Sequence, residues 1–304
     1  MDYYEQNINL LFNNQKVCYT DEGPDDAPVI IFIHGFPLNK SMWNRQILAL
    51  KQYYRVIAYD VRGHGGSESR DGSTFSMEIF AHDLICFMDA LKIKKASLCG
   101  LSMGGYIALN VIENYQHRFE SLVLCDTSCF PDTAETIEKR MNTIESIKNN
   151  GILAYAESSL KILFAPDSIG TKVFEIESVR EMILTTSVQS ICNTLQALCA
   201  RKDTSYLLQN IRLPVLILVG EDDIITPPIF AKYMYKKIND STLHIIKQAG
   251  HLSNLENSED FNKHLITFFE LVYKRRLSIV SEGITSFMGQ LRDLLKLLVA
   301  VFSI

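Results

Sequence analysis

The stretch Ala96-Ser97-Leu98-Cys99-Gly100-Leu101-Ser102-Met103-Gly104-Gly105 decides the fold. Residues 96–99 form an apolar run that reads as a buried strand, and residues 105–109 read as the start of a helix. Between them, Gly100-Leu101-Ser102-Met103-Gly104 has the G-x-S-x-G spacing of a nucleophile elbow, a strand–turn–helix that lifts a serine clear of the sheet. A serine at so sharp a turn is held in a strained backbone conformation. Strand and helix come close there, and a side chain at Gly100 or Gly104 would clash. The gain is an Oγ beside a helix N-terminus, whose free N–H groups stabilise negative charge.

Short apolar runs recur on both sides of this turn, at Val29–Ile33, Arg55–Tyr59, 122–124, 215–219 and 243–246. Helical patterns at 80–91 and Met103–Tyr115 separate several of them, which predicts a mostly parallel sheet covered on both faces. Residues 7–12 and 16–20, joined by Asn13-Asn14, predict an antiparallel hairpin at the sheet edge. From about Pro131 to Tyr206 the pattern is helix after helix, broken near Gly151, Pro166 and Gly170, before strand character resumes at Pro214. A helical insertion of this kind reads as a lid over the strands' carboxyl ends, where open α/β sheets bind ligands.

The strand-end residues carry the chemistry. Glu221-Asp222-Asp223 follows the run 215–219, and Gly250-His251 follows the run 243–246. A serine nucleophile needs a base, and the base needs an orienting acid. The oxyanion of a tetrahedral intermediate needs two donors. The backbone N–H of Met103 supplies one and that of Phe36, in His34-Gly35-Phe36-Pro37-Leu38 after Val29–Ile33, the other. His34 reads as a brace for that loop, and His64, His82, His117, His244 and His264 as structural or surface residues.

These landmarks, together with Asp60-Val61-Arg62-Gly63-His64-Gly65-Gly66-Ser67, resemble the α/β-hydrolase superfamily over roughly residues 7–272. Within it the chain is most similar to 3-oxoadipate enol-lactonase-like hydrolases. The elbow continued through Gly105, the loop from Gly250 to Glu256 and Asp126-Thr127 carry that likeness. The resemblance implies an α/β fold with a mostly parallel eight-stranded sheet, helices on both faces and a helical lid inserted after the sixth strand. The domains expected are a core over 1–130 and 207–273, a lid over 131–206 and an apolar amphipathic C-terminal extension over 274–304. It also implies a Ser102-Asp223-His251 triad, with Asp222 the fallback acid and Asp126 a distant third, and hydrolysis of a small carboxylic ester or lactone without metal or cofactor. The other readings are carbon–carbon bond hydrolysis and a hydrolase-fold receptor or regulator with slow or incidental turnover.

In the lid, Phe130, Tyr155, Phe164, Met182 and Leu184 suggest an apolar pocket, with Arg140 and Arg180 as candidate cations for an anionic substrate. A formal charge of −5 argues against a nucleic-acid partner. The seven cysteines form no C-x-x-C motif and read as small buried hydrophobes in a reducing compartment. With no signal-like N-terminus, a cytoplasmic location is expected. The extension reads as a helix packed on the core or on a second copy in a homodimer. Contact with a membrane surface is the sharper reading.

Overall fold

The structure, a computed structural model, describes residues 6–10, 15–69 and 75–274. The C-terminal extension from 275 onward and the hairpin connection at 11–14 lie outside the described residues. Two units are distinguished, dividing between Leu265 and Ile266. Of the second, residues 266–274 are described and are helical.

The first unit carries one sheet. Its strands are β1 (Gln6–Leu10), β2 (Gln15–Glu22), β3 (Val29–Ile33), β4 (Arg55–Tyr59), β5 (Ala96–Leu101), β6 (Phe119–Cys125), β7 (Val215–Gly220) and β8 (Ser241–Ile246). They lie in the order β1-β2-β4-β3-β5-β6-β7-β8. The hairpin expected at the edge is there: β1 pairs antiparallel with β2, and β2 antiparallel with β4. Every other pairing is parallel, so strands β3 to β8 all end on the same edge of the sheet.

Alternate strand residues point to opposite faces. Ile31, Ile33, Ile57, Leu98, Leu122 and Ile217 share one core with α2 (Met77–Ala90) and α3 (Met103–Tyr115). From the other face Phe32 packs on Trp43, at the head of α1 (Asn44–Leu50), with ring centroids 4.6 Å apart. Both faces are therefore dry, which explains why the central strands read as continuous apolar runs.

Between β6 and β7 the chain is helical, with α4 (Ala134–Leu163), α5 (Val173–Thr185) and α6 (Val188–Cys199). Thr133 and Ser187 cap α4 and α6 by accepting from the amides of Thr136 and Ser190. The helix α4 breaks at Gly151 (φ 81°, ψ 171°). The helix α7 (Pro228–Lys237) begins with proline at its first position, where the missing N–H costs nothing. The short α8 (Ser253–Glu256) follows β8. Among the described residues no helix is long and apolar enough to cross a membrane.

Candidate active site

The turn after β5 has the strain its sequence predicts: Ser102 sits at φ 54°, ψ −113°. A non-glycine residue in this region costs about 1–3 kcal/mol and persists only where its surroundings hold it. Four hydrogen bonds do so here. The Ser102 amide donates to the Cys125 carbonyl at 2.9 Å. Its own carbonyl accepts from the Thr127 hydroxyl at 2.8 Å and from the amides of Gly105 and Tyr106 at 2.9 and 3.1 Å. The glycines are steric necessities: a Cβ at Gly100 would lie 2.3 Å from the Gly104 carbonyl oxygen, and one at Gly104 would lie 2.2 Å from that of Ile33.

Asp223 and His251 meet at the neighbouring strand ends. His251 Nδ1 is 3.0 and 2.9 Å from the two oxygens of Asp223, and both residues are buried. Asp223 also accepts from the Ile225 and Thr226 amides, each at 2.9 Å, and from the Thr226 hydroxyl at 2.6 Å. Burial alone would raise the pKa of Asp223. The adjacent imidazole and the Thr226 donors outweigh it and hold the carboxyl below the ordinary carboxylate range.

Asp222, one residue earlier, is exposed to solvent. Asp126 is fully buried at the end of β6, but its oxygens accept from the Gly220 amide at 2.7 Å and from the Ser253 hydroxyl. Burial, and then the charge of Asp223, push its carboxyl well above the usual range.

The loop after β3 is braced as predicted. The Val61 amide donates to His34 Nε2 at 2.9 Å, so the ring proton lies on Nδ1 and is given to the Gly35 carbonyl, also 2.9 Å away. Burial lowers the pKa of His34 to about 4, which keeps it neutral. Asp60 accepts from the amides of Lys40 and Gly66 at 2.7 and 2.9 Å and pairs with the Lys40 ammonium at 3.0 Å, joining this loop to the next.

A cavity of about 450 Å³ brings together Ser102, Met103, Phe36 and His251. Met103 opens α3, so its amide has no acceptor within the helix. The opposite wall comes from the insertion: Thr136, Arg140, Tyr155, Ile162 and Leu163 of α4, and Leu195 and Leu198 of α6. Of the five apolar lid residues singled out in the sequence, Tyr155 lines the cavity. Phe130 instead packs on Phe230 and Tyr233, Phe164 and Met182 are buried without forming its wall, and Leu184 is half-buried outside it. Ile162, Leu163, Leu195 and Leu198 escaped the sequence reading because helical periodicity shows a buried face but not what faces it.

The cations divide in the same way. Arg180 pairs with Glu157 and Glu177 and is not part of the wall. Arg140 is part of the wall and holds Asp132 at 2.7 Å. Asp132 is shared with Arg201, so two guanidinium groups divide one buried carboxylate and a positive charge is left over. Among the described residues there is no cluster of three His, Cys, Asp or Glu that could hold a metal ion.

The fold agrees with the family comparison. The chain belongs to the alpha/beta hydrolase fold family, whose model matches residues 28–258. It is 30% identical to 3-oxoadipate enol-lactonase 2 of Acinetobacter baylyi over 257 residues, 84% of this chain and 92% of that protein. Among solved structures it resembles a thermophilic esterase from Thermogutta terrifontis, with a TM-score of 0.82 and 32% identity over 88% of this chain and 98% of that one. It also resembles the enol-lactonase from Burkholderia xenovorans LB400, with a TM-score of 0.81 and 26% identity over 87% of this chain and all (100%) of that one.

Proposed function

We propose that this chain is a serine hydrolase of small carboxylic esters or lactones that works through an acyl-enzyme. The observation that carries the reading is the buried Asp223–His251 pair, whose imidazole opens on the same cavity as the strained Ser102. In this mechanism His251 takes the Ser102 hydroxyl proton as Oγ attacks the carbonyl carbon. Asp223 fixes the ring with its proton on Nδ1 and stabilises the imidazolium. The amides of Phe36 and Met103 receive the oxyanion. The carbonyl re-forms as the bond to the leaving oxygen breaks, and His251 returns its proton to that oxygen. Water, deprotonated by His251, then attacks the acyl carbon, and Ser102 leaves with the proton restored. In a lactone the leaving oxygen stays tethered to the acyl group through the carbon chain throughout, and this last step releases both as a single acid.

The helices α4 to α6 act as the lid of this site and choose the substrate. The surplus charge at Arg140 favours an ester or lactone that carries a carboxylate, as a 3-oxoadipate enol-lactone does. The test is steady-state hydrolysis of p-nitrophenyl acetate by wild type and Ser102→Ala. Multiple turnover is expected from the wild type, with a loss of roughly 10⁴-fold or more in kcat on substitution. A variant that keeps its activity would refute the assignment, and a burst without turnover would favour a receptor-like protein.

A further inference from the structure

Glu256 ends α8, away from the cavity wall, and is 1% exposed. Its two oxygens face different segments. Oε1 accepts the amide of Gly250, next to His251, at 2.8 Å. Oε2 accepts the amide of Ala165 at 2.8 Å and the hydroxyl of Ser168 at 2.6 Å, both just beyond the end of α4. The two segments also touch directly, because the His251 amide donates to the Leu163 carbonyl at 3.0 Å. Gly250 leaves no slack: a Cβ there would lie 2.6 Å from the Ala165 nitrogen. Leu163 lines the cavity on one side of this junction and His251 on the other.

We infer that Glu256 is a positioning residue that makes the end of α4 and the His251 loop move as one body, so that the cavity wall and the imidazole are placed together. The inference rests on His251 being the general base. The chemistry of the group supports it. A carboxylate has acceptor sites on both oxygens and serves three donors on two segments at once. An amide of the same shape has one oxygen, so Glu256→Gln satisfies one segment and turns an N–H toward a donor on the other. Buried backbone donors left without an acceptor are costly, so the junction is expected to open rather than tolerate this.

The experiment compares wild type, Glu256→Gln and the milder Ser168→Ala, which removes one donor from the α4 side only. Amide hydrogen–deuterium exchange is followed over 163–168 and 250–256, alongside kcat and KM for p-nitrophenyl acetate. In both variants exchange is expected to rise in the two segments together. In Glu256→Gln, kcat is expected to fall by about 10²-fold, the scale of a small misplacement of a catalytic group, with KM little changed. Exchange that rises in only one segment, or a kcat equal to that of the wild type, would overturn the inference. Should Glu256→Gln not fold, Ser168→Ala decides: a 250–256 loop undisturbed by that distant hydroxyl overturns the coupling. Wild-type hydrolysis that does not depend on Ser102 would refute the catalytic reading, and the exchange comparison would still decide the coupling.

Discussion

Three acidic residues compete, at the scale of single residues, for one role, and their surroundings separate them. Asp223 is buried against His251, Asp222 faces solvent, and Asp126 spends its oxygens on Gly220 and Ser253. Asp223→Asn is expected to lower kcat by roughly 10⁴-fold, because an amide no longer selects the imidazole tautomer that leaves Nε2 free. Asp126→Asn should reduce thermal stability more than kcat, and Asp222→Asn should leave both unchanged. Measured kcat and melting temperature for the three variants check the ranking, and comparable losses at Asp222 and Asp223 would show that the acid is another group. The resemblance to the α/β-hydrolase superfamily already implied Asp223. What no spacing could reveal is the set of groups that hold it and its partner. Glu256 meets Ala165 and Ser168 across 91 and 88 positions of sequence, and such contacts exist only once the chain has folded.

Elements were legible where apolar patterning was strong and their ends were not. The central strands appeared as runs because both faces of the sheet are buried, yet β6 extends from Phe119 to Cys125, well beyond the expected 122–124. Its first residues include Glu120, which the pairing with β5 skips at a register shift, and Ser121, which hydrophobicity alone does not mark as strand. The seven-residue α1 starts without a side-chain cap, and α7 carries three lysines, two of them in its last turn, so neither stood out. The insertion was visible as helices, whereas its choice of cavity-lining residues was not, since that depends on how α4 and α6 face the sheet. Arg140 gives this level its prediction. Burial alone would lower the pKa of its guanidinium, but the hydrogen bonds and charge of Asp132 more than offset this and raise it, so it stays charged. Arg140→Gln leaves Asp132 paired with Arg201, and folding should survive. The variant is expected to raise KM for a p-nitrophenyl ester bearing a free carboxylate by roughly 10- to 100-fold, the scale of one charged hydrogen bond. KM for p-nitrophenyl acetate should hardly move. Equal changes for the two esters would remove Arg140 from substrate recognition.

The whole molecule carries a pH dependence that the site alone does not explain. His34 and His64 are fully buried, and burial lowers their pKa values from 6.5 to about 4 and about 3. Each is a base kept neutral by the fold. As pH falls through the unfolded value of 6.5, the unfolded chain takes up these protons while the native chain does not. The stability associated with each histidine is therefore full above that pH and is lost progressively toward its folded value. Asp126 and Glu256 act with the opposite sign, since burial raises both carboxyls and the native state holds their protons to higher pH. A raw stability profile mixes the two effects, so the informative quantity is a difference between variants. His64 is the better probe because His34 bonds directly to Gly35 in the loop that carries Phe36. Relative to His64→Gln, the wild type is expected to lose about 2 kcal/mol between about pH 7.5 and about pH 5, at up to about 1.4 kcal/mol per pH unit. Urea unfolding of both proteins across that range measures it. A constant offset between the two curves would mean that the native protein protonates His64 as readily as the unfolded chain does, and that the loop from Asp60 to Ser67 opens to water well before the fold is lost.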